Sequence, residues 1–591
     1  MNTPDFLSQN VKKYPNQPAL SSKDKSGNWE TDSWNDVHTN VINVAKSLLY
    51  HNIGQNDKIS IYSYNRKEWN YIYLATQFIN SVAVGIYHTS SSNEVEWVAG
   101  NSESKIIFVG NNPNDNQEND KMPINRLLEA LPKLNNVELV VTLPEVTSSG
   151  NSKIISWDKF IENGKSIESS KVLDLPSKIK DEHTSSLIYT SGTTGNPKGV
   201  ELVHKNWNFL MDALSTPLTF FQGEKTISWL PGAHVFGQAL DNHFWVRRAM
   251  HSFIVDNPLN TVDFAKEVQP HLFCSVPRIY EKIYSNFIAA IESKAVLRFG
   301  LNIPILSGIF KKKLKEAAGF GDLKFAISGA APINPDILAL FQKLDIPLFE
   351  GYGMTENTAG ATLNYLENNK IGSVGKALPN TEIKIANDGE VMIQGDHVMK
   401  GYYKNPEATT ETLVDRWLYT GDIGKLDSDG YLFITGRKKE IYVSSAGKNI
   451  APLVIEETMK SIPIVSQCFL IGDGRKYCSA LFTLDVGAIL RDKLYMNSNQ
   501  IPKDPLQQIK MLNENGHELS DFTDSEEIKS ELQSEVDRLN EQFSNPEQLK
   551  KFVILPRDLT IDNGELTPTL KIRRKQINEN WSEKIESMYE N

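Results

Sequence analysis

Between residues 35 and 52, apolar side chains fall three and four apart at Val41, Val44, Ala45, Leu48 and Leu49, and Gly54 follows. That spacing predicts an amphipathic helix and its stop. Lys58-Ile59-Ser60-Ile61-Tyr62 then alternates like a strand, a helical stretch runs from Trp69 to about Ile79, and Val82-Ala-Val-Gly-Ile86 reads as a second strand. The exchange of periods continues through Ile106-Ile107-Phe108-Val109 and Val137-Glu-Leu-Val-Val141. Strands alternating with helices predict mostly parallel sheets covered by helices, an α/β arrangement. The Asn/Asp-rich segment 111–120 and residues 145–153 read as loops. Far downstream, Ile528, Leu532, Val536, Leu539 and Phe543 form one stripe of a helix over 525–543, a core-packing face. The polar segment 496–522 before it reads as a loop insertion.

Composition narrows the class. With 591 residues, 40% hydrophobic and 23% charged, the chain is long enough for several cores and ordinary for a globular protein. A net charge of −11 supplies no broad basic face, so no nucleic-acid partner is expected. Cys274, Cys468 and Cys478 are odd in number and far apart, which fits a reducing, cytoplasmic setting rather than a disulfide framework. No basic-then-apolar leader and no run of eighteen apolar residues is visible, so neither secretion nor a transmembrane helix is expected. Residues 295–315 set apolar positions beside Lys311, Lys312 and Lys313. Two readings stand for them: a segment lying on an anionic, cytosol-facing membrane surface, or a packed loop ending in a solvated basic helix.

The chemistry-bearing residues are concentrated in a few runs. Tyr189-Thr-Ser-Gly-Thr-Thr-Gly-Asn-Pro-Lys-Gly-Val200 follows the apolar run Ser186-Leu187-Ile188. Its hydroxyls (Thr190, Ser191, Thr193, Thr194), glycines (Gly192, Gly195) and Asn196-Pro197-Lys198 make a phosphate cradle: turning backbone presents N–H groups, and the lysine adds positive charge. It is not the common nucleotide P-loop, which needs Gly-Lys where Pro197-Lys198 stands. Ser228-Trp229-Leu230-Pro231-Gly232-Ala233-His234 follows; a catalytic-base role for His234 is disfavoured, because a carboxyl nucleophile would already be ionised at neutral pH. Phe325-Ala-Ile-Ser-Gly329-Ala330-Ala331-Pro332 and Phe349-Glu350-Gly351-Tyr352-Gly353-Met354-Thr355-Glu356 fit strand ends, where open α/β folds bind ligands. Small residues at 329–331 let a flat base approach backbone, Tyr352 can stack on it, Thr355 can donate to a phosphate, and Glu356 offers oxygen to magnesium. Taken singly, each is also ordinary turn chemistry.

Together, in this order, these runs resemble the AMP-forming acyl-CoA synthetases, and the resemblance covers about residues 10 to 580. Tyr189–Val200, Trp417–Gly424 and Ile471-Gly-Asp-Gly-Arg-Lys476 look closest to long-chain synthetases of the bubblegum type. The resemblance implies an N-terminal domain, 1–438, that binds the nucleotide and acyl chain, and a mobile α+β C-terminal domain, 439–591, turning on a hinge at Lys439. It implies that Asp422 and Arg437 hold the ribose hydroxyls, that Trp229 and His234 wall or gate the acyl pocket, that Gly447 lines the coenzyme A tunnel, and that Lys571, in Thr567-Pro-Thr-Leu-Lys571, is the catalytic lysine. It implies ATP, Mg2+, coenzyme A and a long-chain fatty acid as cofactor and substrates, with no carrier-protein domain after Lys571. Core packing remains the alternative for Trp229 and His234. An adenylating enzyme for medium-chain or aromatic acids, and a non-catalytic acyl-binding relative, remain the rival readings of the whole.

Overall fold

The computed structural model describes residues 1–112, 122–146, 151–190, 196–293, 304–443, 449–497, 500–567 and 571–590. The expected alternation produces two large sheets. In the first, the strands run in the order Gly401–Tyr402, Lys198–Val203, Thr184–Thr190, Val82–Ile86, Lys58–Ser63, Ser104–Gly110, Leu139–Thr142 and Ile154–Ser156. From Thr184–Thr190 onward all neighbours are parallel; the two strands before it are antiparallel. The second sheet has a parallel centre built from Leu348–Tyr352, Phe325–Ser328, Leu272–Ser275, Lys225–Ser228, His251–Ile254 and Pro18–Lys23, with antiparallel strands at both edges. A third sheet, joining Glu382–Ile385, Glu390–Gln394, Trp417–Leu426, Leu413–Val414 and Leu432–Arg437, is antiparallel throughout, so parallel pairing describes only the first two.

Local sequence explains the elements. The helix expected near 35–52 runs Trp34–Tyr50, started by a capping box of Ser33 and Asp36, and buries Val37, Val41, Val44, Ala45 and Leu48. Trp34 stacks on Trp245 at 5.2 Å between ring centroids, which locks this helix to the element after the Trp229–Gly237 loop. That loop reaches the first sheet through glycine. A Cβ on Gly85 would lie 2.5 Å from Ala233 Cα, and one on Gly232 would lie 2.5 Å from the Trp69 ring.

Residues from Ile450 onward build their own cores. The strands Val465–Ile471 and Cys478–Leu484 pair antiparallel, and Leu549–Ile554 adds a parallel edge. The helix Glu526–Asn540, capped by Ser525, turns Ile528, Leu532, Val536 and Leu539 into that core and leaves Phe543 half-buried at its edge. Each such aliphatic side chain is worth about 1.5–3 kcal/mol when buried. The segment 496–522 corrects the expectation of a loop. It carries helices Pro505–Glu514 and Ser520–Thr523, with Asp504 capping the first and Leu512 fully buried. One apolar residue per turn is too faint a signal against its polar majority. The loop expected at 111–120 lies almost wholly outside the described residues. The three cysteines are buried and unpaired. Among the described residues no helix is long and apolar enough to cross a membrane.

Candidate active site

The strand ends of all three large sheets face one cleft of about 2580 Å³, closed on one side by the C-terminal residues. The structure gathers the sequence-derived candidates there: Thr190, Asn196, Pro197 and Lys198; Trp229 and His234; Gly329, Ala330 and Ala331; Glu350 to Glu356; Asp422, Arg437, Lys439 and Lys571. Ser191, Gly192, Thr193, Thr194, Gly195 and Gly447 lie outside the described residues.

Each group is held by backbone geometry. Ala330 takes φ +68°, a left-handed conformation that turns the chain sharply after strand Phe325–Ser328. Gly353 is obligatory, since a Cβ there would lie 2.1 Å from Ala359 O. Asp422 and Arg437 are direct cross-strand partners, with Arg437 Nε 2.9 Å from Asp422 Oδ1. Tyr352 donates its hydroxyl to Asp422 Oδ2 at 2.5 Å. Asp422 is 4% exposed, so the carboxylate is fixed before any ligand arrives. Asp422, then, is what chiefly raises the Arg437 guanidinium.

Trp229 lines the cleft and is buried, and its indole N–H donates to Cys274 O at 2.8 Å. His234 caps the short helix Val235–Gln238, its Nδ1 accepting from Phe236 N–H at 3.2 Å. Burial, then the charge of Lys571, pushes its pKa down to about 3, so it stands neutral and is no proton acceptor at ordinary pH. Leu210, Leu214, Leu230, Val235, Phe236, Ala239 and Leu240 line the same cleft and give it an apolar branch.

Lys571 is tied to Thr567: its N–H donates to Thr567 Oγ1 at 3.0 Å, and Thr567 N–H donates to Lys571 O at 2.8 Å. Its side chain keeps contact with solvent inside the cleft. Desolvation by the surrounding cleft walls, then Arg437, lowers its pKa, while Asp422, Glu356 and Glu440 draw it back up. A lysine on the far domain thus shares one electrostatic field with the nucleotide-side residues.

Glu356 is 7% exposed. One oxygen, Oε1, accepts from the Tyr402 hydroxyl at 2.8 Å. Among the described residues no cluster of three His, Cys, Asp or Glu side chains exists to hold a metal. The single Glu356 carboxylate nevertheless fits magnesium, which is usually bound by one or two carboxylates plus substrate phosphates.

Sequence reasoning missed several residues. Tyr402 meets Lys198 and Glu356 through an edge strand paired two hundred positions away, which no local pattern reveals. Lys438 pairs with Asp388 at 2.6 Å and Glu390 at 2.8 Å, and Arg573 reaches Glu94 at 3.2 Å.

A parallel-sheet nucleotide fold with these turns and a cleft lysine supplied from a second domain defines an adenylate-forming enzyme, and the chain belongs to the AMP-binding enzyme family, whose model matches residues 7–403. It is 30% identical over 589 residues to the long-chain-fatty-acid–CoA ligase FadD15 of Mycobacterium bovis, covering 95% of this chain and 93% of that one. It is 29% identical over 638 residues to the long-chain-fatty-acid–CoA ligase ACSBG2 of Homo sapiens, covering 100% and 92%. Among solved structures, the anthranilate CoA ligase AuaEII in complex with anthranoyl-AMP superposes with a TM-score of 0.75 at 18% identity, covering 99% and 98%. O-succinylbenzoate coenzyme A synthetase (MenE) from Bacillus subtilis, in complex with ATP and magnesium, gives 0.68 at 20%, covering 97% and 99%. At such identities these structures speak to the fold alone.

Proposed function

We propose that this protein joins long-chain fatty acids to coenzyme A in two half-reactions. In the first, a fatty carboxylate oxygen attacks the α-phosphorus of ATP, the bond to pyrophosphate breaks, and acyl-AMP forms. In the second, the coenzyme A thiol loses its proton and attacks the acyl carbonyl carbon, and AMP leaves. The observation that carries this reading is the placement of Lys571 in one field with Asp422, Arg437 and Glu356. Such an ammonium stabilises charge building on the α-phosphate and the attacking carboxylate. Lys198 and the 190–198 loop would take the pyrophosphate end, Asp422 and Arg437 the ribose hydroxyls, and the 329–331 turn with Tyr352 the adenine. Thr355 would donate to a phosphate, and Glu356 would hold magnesium, which when bound neutralises phosphate charge. The second step needs Lys571 withdrawn and the thiol admitted, which rotation of residues 439–591 about Lys439 provides. Gly447 would then line the thiol's path.

The apolar branch supports a long acyl chain over an aromatic acid. Each buried methylene is worth about 0.8 kcal/mol, so affinity climbs with chain length until the branch is full. Pyrophosphate release with ATP and palmitate or oleate, followed by coenzyme A-dependent AMP formation over acids of increasing length, tests the reading. Peak kcat/KM at long chains is expected; a peak at acetate or at a coumarate-like acid overturns it.

Contact with an anionic, cytosol-facing membrane is a finer reading, favoured by Ile309, 53% exposed, on the same helix, Pro304–Ala318, as Lys312. The helix is also anchored: Leu314 and Ala318 are buried, and Lys311 pairs with Asp345 at 3.0 Å. Neutralising Lys311, Lys312 and Lys313 is expected to weaken sedimentation with anionic liposomes. Equal pelleting of wild type and variant excludes the contact.

A further inference from the structure

Tyr402 sits where an edge strand closes the nucleotide side of the cleft. Gly401–Tyr402 pairs antiparallel with Lys198–Val203, Tyr402 lying opposite Val200, and Tyr403 N–H donates to Gly199 O at 2.7 Å. The Tyr402 N–H donates to Thr409 Oγ1 at 2.9 Å, and a Cβ on Gly401 would lie 2.8 Å from Thr409 Cγ2, so the strand is pressed against its neighbour and cannot slide. From this fixed backbone one side chain makes two contacts. The Lys198 ammonium lies 4.8 Å from the ring centroid, and the hydroxyl donates to Glu356 Oε1 at 2.8 Å. Met399 N–H donates to Glu356 O at 2.8 Å, which ties the same short segment to the backbone beneath that carboxylate. Among the described residues Glu356 Oε2 has no hydrogen-bond partner.

We propose that Tyr402 is a positioning residue that keeps the phosphate-binding cation and the magnesium carboxylate apart and correctly aimed. A lysine and a glutamate that both rest on one side chain in a partly desolvated cleft would otherwise be drawn toward each other. The aromatic face gives Lys198 a weaker resting place from which phosphate draws it. The hydroxyl occupies one carboxylate oxygen and orients the other for a cation. The inference rests on the proposed function for the identity of the nucleotide and of its metal.

The test separates the two contacts. Tyr402→Phe keeps the ring and removes the hydroxyl; Tyr402→Leu removes both. ATP binding is measured by titration calorimetry with and without Mg2+, with no fatty acid present. Tyr402→Phe is expected to lose about tenfold of the Mg2+-dependent gain in affinity and to leave Mg2+-free ATP binding as in the wild type, the effect of one hydrogen bond to a charged group. Tyr402→Leu is expected also to weaken Mg2+-free ATP binding. In the half-reactions, Tyr402→Phe should need more Mg2+ for half-maximal acyl-AMP formation and should form thioester normally from synthetic acyl-AMP. A Tyr402→Phe protein with the wild-type Mg2+ gain overturns the inference, as does equal loss of ATP affinity with and without the metal. Should Tyr402→Leu fail to fold, the phenylalanine variant still decides. A wild type that releases no pyrophosphate with any acid sinks the fatty-acid reading, while the calorimetry still reads Tyr402.

Discussion

Glu350 is the middle residue of the strand Leu348–Tyr352 and is 6% exposed, with only the Ile333 N–H, at 3.4 Å, turned toward its Oε1 among the described contacts. Burial pushes its pKa from 4.5 up to about 8, against the weaker opposing pull of that N–H. The folded protein therefore keeps a proton at neutral pH that the unfolded chain releases. Its contribution is complete below about 4.5 and is lost as pH rises through about 8, at a slope approaching about 1.4 kcal/mol per pH unit. Asp241, also pushed up to about 8 by burial, adds a second contribution of the same sign. Glu350→Gln, neutral and of the same shape, should flatten the fall of Tm between pH 5 and 8 by about half and be more stable than the wild type at pH 8. Parallel Tm curves for the two proteins over that range would mean that Glu350 is ionised when folded.

At the scale of elements, the parts legible in the sequence are those with a strong period or a dense composition. The Trp34–Tyr50 and Glu526–Asn540 helices announce themselves through apolar stripes, and the strand Thr184–Thr190 through the short apolar run Leu187-Ile188 before a dense glycine and hydroxyl turn. The cleft residues were legible because glycine, hydroxyl and charge crowd into turns at strand ends. Three kinds of feature were not. The antiparallel third sheet is built mostly from hairpins between residues 382 and 437, and apart from Trp417–Leu426 its strands are too short to show a clear period. The helix Pro505–Glu514 has one fully buried side chain and so almost no stripe. Tyr402 and Arg573 act through partners hundreds of positions away, and chain order carries no trace of such distances. The turn Lys438–Glu440 falls in the chain between the two sets of cores, with Lys438 tied back to Asp388 and Glu390. Lys439 is next in line and is the proposed pivot. Proline fixes φ near −65° and removes an N–H, so Lys439→Pro should still form acyl-AMP and release pyrophosphate while transfer to coenzyme A slows by at least about tenfold. Equal loss of both steps would place the pivot elsewhere or indicate misfolding.

At the scale of the whole molecule, the two groups of cores are held together by polar contacts around the cleft. Arg573 meets Glu94 at 3.2 Å, Arg278 meets Asp485 at 3.3 Å and Ser466 Oγ at 3.4 Å, and Lys503 pairs with Asp263. Surface ion pairs of this kind are each worth about 0–1 kcal/mol, weak enough to break and re-form in the rotation proposed for residues 439–591. In this arrangement Lys571 faces the nucleotide side. Loss of one well-placed electrostatic contact typically costs about 10²–10³ in rate, so Lys571→Ala should cripple acyl-AMP formation from ATP and fatty acid by that factor. In the rotated arrangement the lysine has left the cleft, and thioester formation from synthetic acyl-AMP and coenzyme A should be nearly unchanged. Lys571→Arg should restore little, because a planar guanidinium does not reproduce a compact ammonium at a site already shared with Arg437. The two half-reactions are assayed on one purified variant whose fold is checked by circular dichroism. Normal adenylation would reduce Lys571 to a bystander in the cleft, and failure of both halves in a folded protein would mean that the domain does not alternate between two working positions.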